Sequence, residues 1–283
     1  MYSKSAEWYD DIYSWKDYSR EAELLHALIQ KHSRRPLKTL LDVACGTGQH
    51  VRYLKTHYTV EGLEYADPML ARARRQHPDV TFHQGDMTGF ELGRQFDVVV
   101  CLFASIAYAK TTARLRMALE SMRRHGKPGG LVIAEPFIRP DQFKTGHVGA
   151  IFVDRPELKI ARVHVSTREC GIAILAMHYL VGTPQGVEQF TELHELALFS
   201  HDEYLTAYRA AGLDVVYDQE GLMGRGLYIG ILPEPGRGGA HASERRNTRF
   251  SGRSDGAVDA RSITTQRHRA VRGSCLFSHT AET

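Results

Sequence analysis

At 283 residues with 42% hydrophobic content, the chain suits one large domain or one domain with an addition, and no apolar run reaches the length of a membrane span. Its formal net charge of +3 is unevenly placed: residues 233–283 hold nine arginines, no lysine and five acids, which leaves −1 for the remainder. That distribution gives no support to a basic nucleic-acid-binding body, and four scattered cysteines without C-x-x-C spacing fit a reducing cytoplasm with no structural zinc.

The N-terminal MYSKSAEWYDD lacks the apolar stretch of a secretory signal. From 17 to 33, DYSREAELLHALIQKHS has apolar residues at helical spacing. From 39 onward, strand-like and helical segments alternate. Strands are expected at 39–45, 59–65, 80–86, 96–104 and 130–136, with helices at about 47–56, 67–76 and 111–125. Near-continuous apolar strands fit a parallel sheet covered on both faces. Residues 137–199 break the pattern. ARVHVSTREC, IAILAMHYLV and VEQFTELHELALF read as three antiparallel strands, inserted either as a cover over an active site or as a dimer surface. A helix over 200–211 follows, with Ser200 as its N-cap and Gly212 beyond its end, then two last strands near 213–218 and 226–232. The expected division is a folded domain over 1–232, with 137–199 as its inserted sheet, and a basic tail over 233–283. The tail has no periodicity and reads as disordered, being either appended coding sequence or an arm for RNA or a partner.

The most informative stretch is TLLDVACGTGQH, residues 39–50. A strand feeds a turn, and the turn opens a helix. Gly46 and Gly48 permit tight backbone geometry and let a ligand approach the main chain. The helix N-terminus adds free N–H groups. Glu64 ends the second strand, 18 residues after Gly46, where a nucleoside-binding α/β fold places the carboxylate that takes both ribose hydroxyls. The dinucleotide fingerprint is incomplete, because GTGQHV lacks the third glycine. Asp42, just before the loop, would repel a phosphate and suits a cation. These features point to a nucleoside with positive charge, such as S-adenosylmethionine. They disfavour a nicotinamide-dependent oxidoreductase.

Four blocks in order, LLDVACGTG, GLEYADPML, HQGDM and FDVVVCLFASI, resemble a class I S-adenosylmethionine-dependent methyltransferase. The resemblance implies an α/β fold, a seven-stranded Rossmann-like methyltransferase sheet with an inserted small antiparallel sheet. It also implies that Ala44 and Gly46 face the methionine part, Glu64 holds the ribose, Asp86 and Met87 flank the adenine, and Leu102 lines the floor. Taken alone, Asp86 reads as a turn residue at a strand end.

A narrower resemblance rests on MYSKSAEWYDDIYSWKDYSREAELL, on FASIAYAKTT, and on HELALFSHDEYLTAYRAAGL with GLMGRGLYIGI. Over about residues 1–232 these stretches resemble the bacterial N,N-dimethyltransferases of nucleotide-linked amino sugars. Those act on a 3-amino-3,6-dideoxyhexose carried by dTDP, in antibiotic-type secondary metabolism. The resemblance implies a homodimer, while the absent signal and scattered thiols, the charge split and the absence of a long apolar run lead to the expectation of a cytoplasmic protein that binds neither nucleic acid nor membrane. By it, Tyr13 closes over the active site and Tyr108 lies near the amino group. Arg162 and Ser166, in the insert's first strand, fall at substrate contacts, and Arg225 meets the substrate phosphates. A guanidinium suits a pyrophosphate on chemical grounds too, while an exposed hairpin arginine is the plainer reading. The family's EPWWFP becomes EPFIRP at Glu135–Pro140, and its SSIG becomes ASIA. Both departures fall on the substrate side.

Methyl transfer from a sulfonium needs mainly positioning and desolvation. Tyr108 is the candidate for orienting an amine, and His178 and His194 are the other candidates near it, unless they are ordinary strand histidines. The alternative acceptors are a small-molecule hydroxyl or a non-sugar amine.

Overall fold

The computed structural model describes residues 3–234. Apart from Pro233 and Glu234, the tail expected over 233–283 lies outside the described residues. A 3-10 turn at Lys4–Trp8 leads into α1 (Tyr9–Ile12), and α2 (Tyr18–His32) follows, capped by Asp17, whose carboxylate accepts from Arg20 N at 2.9 Å. Then come β1 (Thr39–Val43), α3 (Gln49–Leu54), β2 (Thr59–Glu64), α4 (Asp67–Gln76), β3 (Thr81–Gln84), β4 (Phe96–Cys101), α5 (Thr112–Arg124) and β5 (Gly126–Ala134). The insert supplies β6 (Val148–Arg155), β7 (Leu158–Glu169), β8 (Ile172–Thr183) and β9 (Gly186–Ala197). The chain closes with α6 (His201–Ala210), β10 (Asp214–Asp218) and β11 (Leu227–Ile231).

Seven strands form one sheet in the order β10-β11-β5-β4-β1-β2-β3. β1 to β5 run parallel, and β11 pairs antiparallel with both β5 and β10. The order reverses between β1 and β4, and in open α/β sheets a crevice forms there, beyond the strands' C-terminal ends. Alternate residues of each central strand enter different cores. Leu41, Val99 and Val132 pack under α5 and α6 with Leu119 and Tyr208. Leu40, Val98 and Leu131 pack under α2, α3 and α4 with Leu25 and Leu54. α6 is held by a capping box in which Ser200 and Glu203 satisfy each other's backbone N–H groups.

The insert forms a separate antiparallel sheet in the order β6-β7-β8-β9. It has four strands, not the expected three, so Arg162 and Ser166 lie in its second strand. β6 went unseen because VGAIFVDR carries small or apolar side chains on both faces, which erases the period-two signal. Leu175, Met177 and Leu196 on its inner face share a third core with Tyr9, Ile12 and Tyr13 of the N-terminal segment.

Candidate active site

β1 ends at Val43 and the chain turns sharply, with Ala44 at φ 58° and Gly46 at φ 59°. Left-handed backbone costs a residue with a Cβ roughly 1–2 kcal/mol, so Ala44 stores strain at this turn. The two glycines serve different ends. A Cβ on Gly46 would meet nothing within 4 Å, whereas one on Gly48 would lie 2.8 Å from His77 Cδ2. Gly46 borders open space. Gly48 packs against protein and lines neither cavity described below.

Glu64 turns back toward this loop. Its Oε2 accepts from Gly46 N at 2.9 Å, and its Oε1 accepts from Tyr65 N and Ala66 N at 2.9 and 2.8 Å. Burial raises its pKa, and the three N–H groups only partly offset that. Asp42 is 1% exposed, and its Oδ2 has no hydrogen-bond partner among the described residues. Burial, aided by the charge of Glu64, pushes its carboxyl up to about 8. Two neighbouring buried carboxyls make a wall that is short of positive charge.

A cavity of about 170 Å³ opens above this wall. Gly46, Glu64, Tyr65, Met69 and Met87 line one end, and Tyr108, Phe137, Leu175, Met177 and Arg225 line the other. A smaller recess of about 30 Å³ shares Tyr9, Ala44, Gly46 and Phe103 with it and adds Asp42, Thr47, His50 and Leu102. Asp86 lies outside both. It caps the turn at Thr88 N and Oγ1, each at 2.8 Å, and pairs with Arg114 at 2.9 Å, which suits the turn residue that its position alone suggested.

The N-terminal segment roofs the cavity with Tyr9 and Tyr13. Asp10 pins it by accepting from Thr47 Oγ1 and Gln76 Nε2 at 2.6 Å and from Arg72 Nη2 at 3.1 Å. Arg162 Nη1 donates to the Tyr13 hydroxyl at 2.9 Å, so Arg162 holds the roof rather than lining the cavity. Ser166 is buried and lines neither cavity; its backbone ties β7 to Gly146 and His147. His178 corrects an expectation. Strand alternation turns it away from Leu175 and Met177, onto the exposed face of the insert, where it bonds Thr191 Oγ1 at 2.9 Å.

Arg225 does reach the cavity. Its guanidinium sits 5.5 Å above the Phe103 ring and 3.7 Å from Glu135 Oε1. Glu135 is wholly buried at the end of β5, and its Oε2 accepts from Phe103 N at 2.6 Å. Phe103 and Ala104 follow β4 in left-handed conformation, at φ 50° and 61°. The buried Lys16 pairs with Glu21 and lies 4.5 Å from the Phe103 ring centroid. Neither Glu135 nor Lys16 was singled out from sequence. Glu135 carried a usable signal, an acid at the carboxyl end of a central strand.

A family model described as a methyltransferase domain matches residues 40–130. The chain is 44% identical over 230 residues to a Streptomyces fradiae protein described as a dTDP-3-amino-3,6-dideoxy-alpha-D-glucopyranose N,N-dimethyltransferase, covering 80% of this chain and 90% of that one. The crystal structure of Streptomyces venezuelae DesVI superposes with a TM-score of 0.77 at 40% identity, over 82% of this chain and all of that one. The chain belongs to the family of amino-sugar N,N-dimethyltransferases. A further structure, of S-adenosylmethionine-bound CalS10, an amino pentose methyltransferase from Micromonospora echinaspora, gives a TM-score of 0.72 at 36% identity over 82% of this chain and 97% of that one. As a sugar N,N-dimethyltransferase, this protein uses S-adenosylmethionine as its methyl donor.

Proposed function

We propose that this enzyme methylates the amino nitrogen of a dTDP-linked deoxyamino sugar, of the kind used in antibiotic biosynthesis. One observation carries the reading: the cavity lined by both Glu64 and Arg225 adjoins a recess lined by the buried Asp42. The acidic end suits a cationic nucleoside, and the arginine suits a pyrophosphate.

The residues present fit the donor. The space in front of Gly46 would take its backbone-proximal part, and the orphan oxygen of Asp42 would meet a cation. Glu64 would accept the ribose hydroxyls, with Met87 against the base and Leu102 beneath. When bound, the donor supplies a methyl group on a positively charged sulfur. The chain's own task is to align an amine and exclude water. Tyr9 and Tyr13 close the top, Leu175 and Met177 dry the acceptor end, and Tyr108 presents its hydroxyl to the acceptor.

The same reading extends to a homodimer. The outer face of the insert exposes Val148, Phe152, Val163, Val165, Leu180 and Val187. Phe152 and Val187 are each 72% exposed, and an apolar sheet face of this kind suits a second copy.

Calorimetry in the presence of S-adenosylhomocysteine tests the acceptor reading. The dTDP-linked amino sugar should bind at least about tenfold more tightly than the same sugar without the nucleotide, since its pyrophosphate adds charge-assisted hydrogen bonds. Equal affinities would contradict it.

A further inference from the structure

The 3-10 turn Ser105–Ala109 and strand β9 bring three groups into a row on the acceptor side. The Tyr108 hydroxyl lies 2.7 Å from His194 Nδ1, and His194 Nε2 lies 3.7 Å from Glu192 Oε2. His194 and Glu192 are 1% and 5% exposed and sit two residues apart, so β9 turns both inward. Glu192 also accepts from Ser3 N and Ser5 N at 2.9 and 3.1 Å and from both serine hydroxyls. Burial works against its charge, yet the contacts from His194, Ser5 and Ser3 outweigh burial and hold the carboxyl well below the usual range.

His164 and Arg162 on β7 are the other ionisable groups near the imidazole, with His147 beyond them and Tyr179 beside Glu192. Tyr9 and Tyr13 approach from the roof, and Lys110 and Glu195 pair with each other at the rim. Arg162 and His194 both border His164, and Glu192 is the buried carboxylate beside His194.

Resting on the amine-methylation reading, we propose that Tyr108, His194 and Glu192 form a proton relay for the acceptor nitrogen, in which His194 and Glu192 are positioning residues acting through Tyr108. An amine attacks through its lone pair. Each transfer uses that pair to form an N–C bond and breaks the C–S bond, whose electrons stay on sulfur. The nitrogen is left as an ammonium, which cannot attack again until it loses a proton. The ammonium N–H donates to the Tyr108 oxygen, the tyrosine's own proton passes to His194 Nδ1, and the imidazolium rests against Glu192. One positive charge leaves the nitrogen and appears on His194. When the cavity opens to solvent, His194 Nδ1 gives its proton back to the Tyr108 oxygen, whose other proton passes to a water molecule, and the methylated amine stays neutral. Ser3 and Ser5 complete the Glu192 site, so the relay is assembled only with the roof in place.

Two measurements test it. In the first, His194→Gln is compared with the parent enzyme from about pH 6 to pH 9, with the dTDP-amino sugar as acceptor. At neutral pH the variant should lose about ten- to a hundredfold in kcat, the range set by general acid–base assistance, and accumulate monomethylated sugar. The loss should shrink as solvent hydroxide rises, while acceptor KM and S-adenosylhomocysteine affinity change by less than about twofold. An unchanged kcat profile in a folded variant overturns the relay but leaves amine methylation standing, because the parent turns over in the same assay. A parent that methylates no amine overturns both. The second measurement needs no acceptor. In ¹⁵N-histidine NMR spectra of the parent, the ring perturbed by Tyr108→Phe should be the Nε2–H tautomer, with Nδ1 free to accept. An Nδ1–H tautomer there overturns the relay even if the glutamine variant does not fold.

Discussion

The two ends of the cavity are built in opposite ways. At the donor end, Asp42, Ala44, Gly46, Glu64 and Met87 come from three successive strand ends, inside one stretch of chain. At the acceptor end the partners lie far apart in sequence. Tyr13 meets Arg162 across 149 positions, Tyr108 meets His194 across 86, and Ser5 meets Glu192 across 187. The donor end belongs to the parallel sheet itself. The acceptor end exists only once the insert and the N-terminal segment have docked. A fold of this design can change acceptor by altering the insert while leaving its methyl donor alone.

The strongest way to break that contrast is Glu64→Ala. If the donor end stands alone, S-adenosylmethionine binding should weaken by about 2–3 kcal/mol, roughly 30- to 150-fold, from lost charged hydrogen bonds. Calorimetry on the folded variant checks it, and an unchanged dissociation constant removes Glu64 from the site.

Asp42 gives the next largest effect, read through pH. Its carboxyl titrates near 8 in the free protein and is protonated at neutral pH. A cation settling beside it favours the carboxylate, so binding should release a proton. By linkage, donor affinity should then rise with pH, approaching at most about tenfold per pH unit, and level off above about pH 8. Because the folded-state value lies above the unfolded one, Asp42 also lowers the free protein's stability as pH rises from about 4 toward 8. Calorimetry in buffers of different ionisation enthalpy would detect the proton. Affinity independent of pH over that window counts against Asp42 as the cation's partner.

Smaller effects sharpen the acceptor side. Arg225→Lys should raise acceptor KM by about fivefold, near 1 kcal/mol, because an ammonium cannot reproduce the planar fork. Donor affinity should stay constant. A KM that does not move argues against a pyrophosphate at Arg225. Smallest of all, His178→Ala should change kcat by less than about twofold, since its side chain is on the far face of the insert. A large loss of kcat in a variant that keeps its oligomeric state would show that this face communicates with the cavity.

The same contrast explains what was legible in the sequence. The order of strands and helices, the turn at Gly46 and the acid at Glu64 carry local signals: apolar runs, paired glycines, an acid at a strand end. The resemblance located Tyr13, Tyr108 and Arg225, all of which line the cavity. Several expected site residues lie off the cavity: Gly48 packs against His77, Asp86 caps its own turn, Ser166 is buried within the insert, and Arg162 bonds the Tyr13 hydroxyl. His178 took the outer face of β8, and strand alternation assigns that face only once the inner residues of the strand are known. Lys16 was missed because its significance lies in its neighbour Phe103, which no spacing in the chain announces, whereas Glu135, bonded to Phe103 N, offered the signal of an acid at a strand's carboxyl end.

The central claim is that this cavity joins a sulfonium donor to a nucleotide-linked sugar amine. A mass-resolved time course with S-adenosylmethionine and dTDP-3-amino-3,6-dideoxyglucose, run beside its 4-amino isomer and a panel of phenols and free amines, tests it most directly. The account predicts a +14 product on a dTDP-amino sugar that converts to +28, with kcat/KM rising from about pH 7 to 8.5 as the amine deprotonates. Unreacted dTDP-amino sugars, together with +14 products on phenols or free amines, would contradict it.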